Sequence, residues 1–213
     1  MPTTTVLVLV PGLSSNHVSQ LAASGTTDAM AQGTVAPEPH LSQAAARAVL
    51  LKGVTREGER AIAPDLFSIV EETEGGDAAC LCVHTAGDIV EELSAQISTD
   101  ARLIVVDWEE PHDAEWGEIA AALPEANLVV VGYGGGGEAS AFLAAGPDIY
   151  SGARVDATLV DLHPTVLSLL RIVPPPGPMT EGRALHEICS DTYLNDDEQA
   201  EVIEHLRAVG YVE

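Results

Sequence analysis

The residues able to do chemistry gather at three places. Ser42 stands at the start of the alanine-rich stretch Leu41–Lys52, where a hydroxyl either attacks as a nucleophile or caps a helix. Asp107, Glu109, Glu110, His112 and Asp113 follow an apolar run, the position at which open α/β sheets present ligands. With His84 after another such run and His17 or His40 in loops, carboxylate oxygens and imidazole nitrogens make a set for one hard or borderline divalent ion, zinc or manganese, centred on Asp107, His112 and Asp113. The competing reading is that acid-rich loops in an acid-rich chain are merely solvated. Gly132, Gly134 and Gly137 have G-x-G-x-x-G spacing, with Asp156 roughly twenty residues on, so their amides suit a phosphate. The segment after them, Glu138–Gly146, is short for the helix this motif needs and reads equally as a strand. A flexible glycine loop is the alternative. Cys80 and Cys82 lie two apart in one apolar run, a poor geometry for a mutual disulfide, and core packing is expected of them.

The chain must place these groups. Its 213 residues suffice for one substantial core, and no repeat, low-complexity tract or linker divides it, so a single domain over 1–213 is expected. The 33 acidic residues face 9 basic ones, Lys52 being the only lysine, for a net charge of −24. Such a field repels phosphate backbones and anionic bilayers, which excludes nucleic acid and membrane surfaces as partners. Acid spread along the whole length reads as a solvated coat suited to high salt rather than a patch for one cationic partner. Three cysteines, no basic leader before Thr5–Val10 and no long apolar run suggest a cytoplasmic, halophile-type protein.

Continuous apolar runs mark strands buried on both faces: Thr4–Val10, Ala78–His84, Arg102–Val106 and Asn127–Val131, with Ala139–Ala144 a further candidate. Helical spacing and caps predict helices at Leu41–Lys52, Leu66–Glu74, Asp88–Gln96, Glu115–Leu123, within Thr158–Leu170 opened by Pro164, and Asp197–Val209; Ser19–Ser24 is a short candidate. Strands alternating with helices over short links argue for a doubly wound, mostly parallel sheet.

Three C-terminal segments then carry a resemblance. Gly146-Pro147-Asp148-Ile149, Val160-Asp161-Leu162-His163-Pro164-Thr165-Val166-Leu167 and Gly182-Arg183-Ala184-Leu185 resemble the GPxI, VDxxPTxL and GRxL segments of the alkaline phosphatase superfamily, in particular type I phosphodiesterases, nucleotide pyrophosphatases and sulfatases. Leu206–Glu213 is similar to the LxxLGYxE ending of several such families, and weaker likeness reaches most of the chain. The resemblance implies a three-layer αβα sandwich with an alkaline-phosphatase-like core. It also implies two metal ions, held by an aspartate after the first strand and by Asp and His residues at later strand ends, and a Ser or Thr nucleophile opening a helix.

Carried over position by position, that machinery thins out. The first aspartate falls on Pro11, the nucleophile near Ser42 or Gln43, and the Asp-His pair on Gly134 and its neighbours, where Glu138 is the one donor. An Asp followed four residues on by His falls on Asp113 and Gly117. The expected function is therefore that of a non-catalytic relative, needing no cofactor, that binds a small anion or a protein partner. Two alternatives stand beside it: a metal-dependent hydrolase of phosphate or sulfate esters rebuilt around Ser42, Asp107, His112 and Asp113, and a nucleotide-binding module using Gly132–Gly137. A homodimer covering exposed apolar edges is a further expectation.

Overall fold

The first strand, β1 (Thr4–Pro11), sits in the middle of a six-stranded sheet and dictates much of the rest. The computed structural model describes residues 3–16, 18, 29–37, 40–60, 63–73, 77–83, 89–97, 99, 101–108, 116–134, 139–173 and 181–189. The other strands are β2 (Ala31–Val35), β3 (Ala78–Val83), β4 (Leu103–Trp108), β5 (Ala126–Tyr133) and β6 (Ser140–Ala145), in the order β2-β6-β5-β1-β4-β3. Strands β3, β4, β1 and β5 run parallel, and β6 is antiparallel to both β5 and β2. Among the described helices, α1 is Gln43–Lys52, α2 Glu57–Arg60, α3 Leu66–Glu72, α4 Ile89–Ile97, α5 Trp116–Ala122 and α6 Leu162–Leu169. The expected mixed α/β chain with a mostly parallel sheet is thus what forms.

Period-two alternation explains why the strands are apolar throughout. Leu7 and Leu9 of β1 enter one hydrophobic cluster with residues of α1, α3 and α6, while Val6, Val8 and Val10 enter another with residues of α4 and α5. A strand covered on both faces has no position left for a polar side chain, hence the run of valine and leucine. In β4 the same rule sends Leu103 and Val105 to the first cluster and Ile104, Val106 and Trp108 to the second. Trp108 meets Trp116 of α5 edge to face, ring centres 5.2 Å apart.

Local signals cap two of the helices. Ser42 caps α1 by accepting a 3.2 Å hydrogen bond from the Ala45 amide, and Asp65 caps α3 by accepting one of 3.0 Å from the Ser68 amide. Gly53 ends α1 in the left-handed conformation, φ 67°, and a methyl group there would also sit 2.9 Å from the His163 ring.

The structure revises several expected boundaries. Strand β4 continues through Asp107 and Trp108, and β5 through Gly132 and Tyr133. Helix α6 opens at Leu162 after a 3₁₀ turn, Leu159–Asp161, so Pro164 is its third residue rather than its first. Its missing amide proton still costs nothing in the first turn. Strand β2 forms where the sequence, lacking a β-branched run, signals none; the candidate helices Ser19–Ser24 and Asp197–Val209 lie outside the described residues. Cys80 is exposed instead of packed in the core, because β3 is an end strand of the sheet.

The segments that carried the resemblance are held together by hydrogen bonds. One carboxylate oxygen of Asp161 accepts from the Thr158 amide and hydroxyl, both at 2.7 Å, and the other accepts from the Arg183 amide at 2.9 Å. The Thr165 hydroxyl donates to the Asp161 carbonyl at 2.6 Å and accepts from the Leu185 amide at 3.0 Å. A side chain on Gly182 would meet the Val160 carbonyl at 2.2 Å. Asp148 accepts from Asn127 at the amino end of β5, the end opposite Gly132. These motifs secure the scaffold.

Candidate functional site

The carboxyl ends of β1, β4 and β5 come together by register: Leu9 pairs with Asp107 on one side and Val131 on the other, and Pro11 pairs with Tyr133. The chain leaves β1 through Gly12, whose φ of 76° suits glycine and whose amide donates to the Tyr133 carbonyl at 2.8 Å. The amino end of α1 packs beside this edge. A Cβ built on Gly134 (φ 73°) would lie 3.3 Å from the Gln43 side chain.

One ion pair dominates this edge. Asp107 follows the parity of Leu103 and Val105, so it points to the α1 side of the sheet. There Arg47 grips it with two parallel bonds: Nε donates to Oδ1 at 2.8 Å and Nη2 to Oδ2 at 2.6 Å. The guanidinium belongs one turn into α1, and helical side chains lean toward the amino terminus, so Arg47 is aimed at the strand ends. The hydrogen bond to Asp107 raises the Arg47 pKa, burial opposes this, and the negative character of Asp107, Tyr133 and Cys80 adds to the rise. The pair is half-buried, with 36% of the Arg47 and 23% of the Asp107 side chain exposed.

The residues singled out in the sequence are placed as follows. Ser42 is exposed and its hydroxyl oxygen is engaged with the Ala45 amide. Asp107 has both oxygens on Arg47. His112, Asp113, Glu109 and Glu110 lie outside the described residues, as do His17, His84, Gly137 and Glu138. Gly132 is buried inside β5; a Cβ there would strike the Leu13 carbonyl at 2.1 Å, so the glycine admits the turn after β1. Beyond residue 138 the chain enters strand β6, whereas the dinucleotide fingerprint needs a helix whose amino end meets the phosphates. Among the described residues, no group of three or more His, Cys, Asp and Glu side chains is placed to hold a metal ion. His163 is buried and donates from Nδ1 to the Leu51 carbonyl at 2.9 Å.

Arg47 is the site residue that sequence reasoning missed. A lone arginine within an alanine-rich helix carries no local signal of its partner, which lies 60 residues away. Chemically, the arrangement offers cationic hydrogen-bond donors. A guanidinium has five N–H groups, and Asp107 engages two positions of the fork. Its remaining N–H groups have no partner among the described residues, and the α1 amino terminus adds a favourable dipole.

No family model matches this chain. No curated protein matches it either. Among the described residues no helix is long and apolar enough to cross a membrane.

Proposed function

We propose that the chain is a non-catalytic, alkaline-phosphatase-like αβα domain that binds a small oxyanion at the carboxyl edge of its sheet. The observation that carries this reading is the Arg47–Asp107 pair. An internal guanidinium occupies both oxygens of the carboxylate best placed to hold a cation. Pro11, at the end of β1, has no donor atom to offer. The described donors therefore do not fit a pair of divalent ions, and no hydrolytic step through such ions follows from them. What they do fit is an anion: the fixed positive charge of Arg47, its spare N–H groups, and the first amides of α1 beside Gly134. The resemblance supports the scaffold side of the reading: two of its three segments, 160–167 and 182–185, are tied together through Asp161 and Thr165.

The test pairs elemental analysis with turnover of an aryl phosphate and binding of inorganic phosphate or sulfate, all in molar salt. The expected result is no stoichiometric zinc or manganese, no turnover, and oxyanion binding that Arg47→Gln weakens. Ser42→Ala should lower stability by about 1 kcal/mol, as loss of a cap does, and change nothing else. About two metal ions per chain together with turnover abolished in Ser42→Ala would overturn the proposal.

A further inference from the structure

At the β2 edge, lined by neither Arg47 nor Asp107, the structure holds a small polar cavity of about 190 Å³. Its floor is the face of β2 that carries Gln32 and Thr34, and Val18 and Ala141 supply apolar wall. Its rim is the segment 153–157, which runs beside β2 through isolated parallel bridges: the Gln32 amide donates to the Ala153 carbonyl at 2.9 Å, and the Ala157 amide to the Thr34 carbonyl at 2.8 Å. That close approach depends on Gly33, since a Cβ there would fall 1.7 Å from the Val155 carbonyl oxygen. Parallel pairing sets Arg154 beside Gln32.

Two features of this cavity point to a ligand. Gln32 is only 6% exposed, lines the cavity, and its side-chain amide has no hydrogen-bond partner among the described residues. Its amide atoms are not sealed off but open to water in the cavity, whose place a bound polar group can take. Second, Arg154 forms no ion pair among the described residues; Arg60 and Arg102 form none either, whereas Arg47, Arg56, Arg171 and Arg183 each do, and of the three without one Arg154 alone lines this cavity. Next to it, Asp156 accepts from the Thr34 hydroxyl through Oδ1 at 2.5 Å, which orients the carboxylate and leaves Oδ2 available.

We propose that this cavity binds a small zwitterion of the α-amino-acid type. Its carboxylate meets Arg154, its ammonium meets Asp156, and the Gln32 amide supplies the buried polar contact. A short apolar substituent lies toward Val18 and Ala141. Charge and size select this class together. One cationic and one anionic side chain sum to zero, so the cavity matches a ligand with separated charges and no net charge. A free anion meets the Asp156 carboxylate here beside Arg154, and a free cation meets the Arg154 guanidinium beside Asp156. A cavity of about 150 Å³ suffices for benzene, so about 190 Å³ suits a ligand of similar or slightly larger size.

The test is a titration of the ¹⁵N-labelled full chain with L-alanine, sodium acetate and ethylamine in turn at fixed ionic strength, read on the Gln32 side-chain NH₂ signals. L-Alanine should give a saturable shift with a Kd of about 1 mM, and acetate and ethylamine should each bind about tenfold more weakly. Arg154→Gln and Asp156→Asn, both at exposed positions, should each weaken L-alanine binding by about three- to tenfold while leaving the rest of the spectrum in place. Absence of a saturable shift would overturn the proposal. So would acetate binding as tightly as L-alanine, or both variants binding like the parent chain.

Discussion

Lowering the pH should destabilise this fold through a single imidazole, and replacing His163 with asparagine should remove that effect. His163 is 1% exposed, donates from Nδ1 to the Leu51 carbonyl, and lies against Gly53. Burial pushes its pKa down from 6.5 to about 4; the Leu51 and Leu50 carbonyls and the charge of Asp65 pull the other way without prevailing. The folded chain therefore keeps a neutral ring well below the pH at which the unfolded chain takes up a proton. Above 6.5 both states are neutral at this position and the contribution to pH dependence vanishes. Between 6.5 and about 4 the unfolded state binds more protons, so stability falls as the pH falls. Each pH unit of that gap is worth about 1.4 kcal/mol, so the loss reaches about 3 kcal/mol at the lower end.

The assay is urea unfolding of both proteins from about pH 8 down to about pH 4 at constant molar salt, compared as a difference. The difference matters because the acidic coat titrates over the same range, and its self-repulsion weakens as carboxylates take up protons. That contribution is common to both proteins and cancels. Asparagine keeps a donor for Leu51 but loses ring contacts, so the variant should start about 1–2 kcal/mol less stable at neutral pH. The gap should then close and reverse as the pH falls. Parallel curves, or a gap that widens toward acid, would refute the assignment of a buried neutral imidazole.

Two further outcomes follow from the geometry. A double-mutant cycle on Arg47→Ala and Asp107→Ala should give a coupling of about 1 kcal/mol, discounted from a fully buried pair because solvent reaches both side chains, and it should shrink in molar salt; chemical denaturation at two salt concentrations checks it. Gly33→Ala places a methyl group against the Val155 carbonyl and 2.5 Å from the Phe142 ring, so it should cost more than about 3 kcal/mol and free the Ala157 amide proton to exchange. Hydrogen exchange of that amide separates local detachment from global loss of stability.

Much of the scaffold was legible in the residues alone, because its signals are local. Runs such as Val6–Val10 and Leu128–Val131 need only their own composition to declare a strand covered on two sides. Ser42, Asp65 and Gly53 mark helix ends within a turn of where they act. Strand β2 escaped that reading because Ala-Gln-Gly-Thr-Val has little strand character; it is held by pairing with β6 and by the approach of residues 153–157 over Gly33. Such non-local contacts outweigh intrinsic propensity.

The chemistry was the less legible part. Composition by itself determined the acidic coat and the lack of a donor at Pro11, since a side chain that is absent from the sequence cannot be supplied by folding. Only the tertiary structure decided that Asp107 faces Arg47. That depends on strand parity, on β1 lying between β4 and β5, and on α1 packing over that face. Likewise, the sequence shows Gln32, Arg154 and Asp156 as scattered polar residues. The register of two chain segments more than a hundred residues apart, made possible by one missing side chain at Gly33, turns them into neighbours around one cavity.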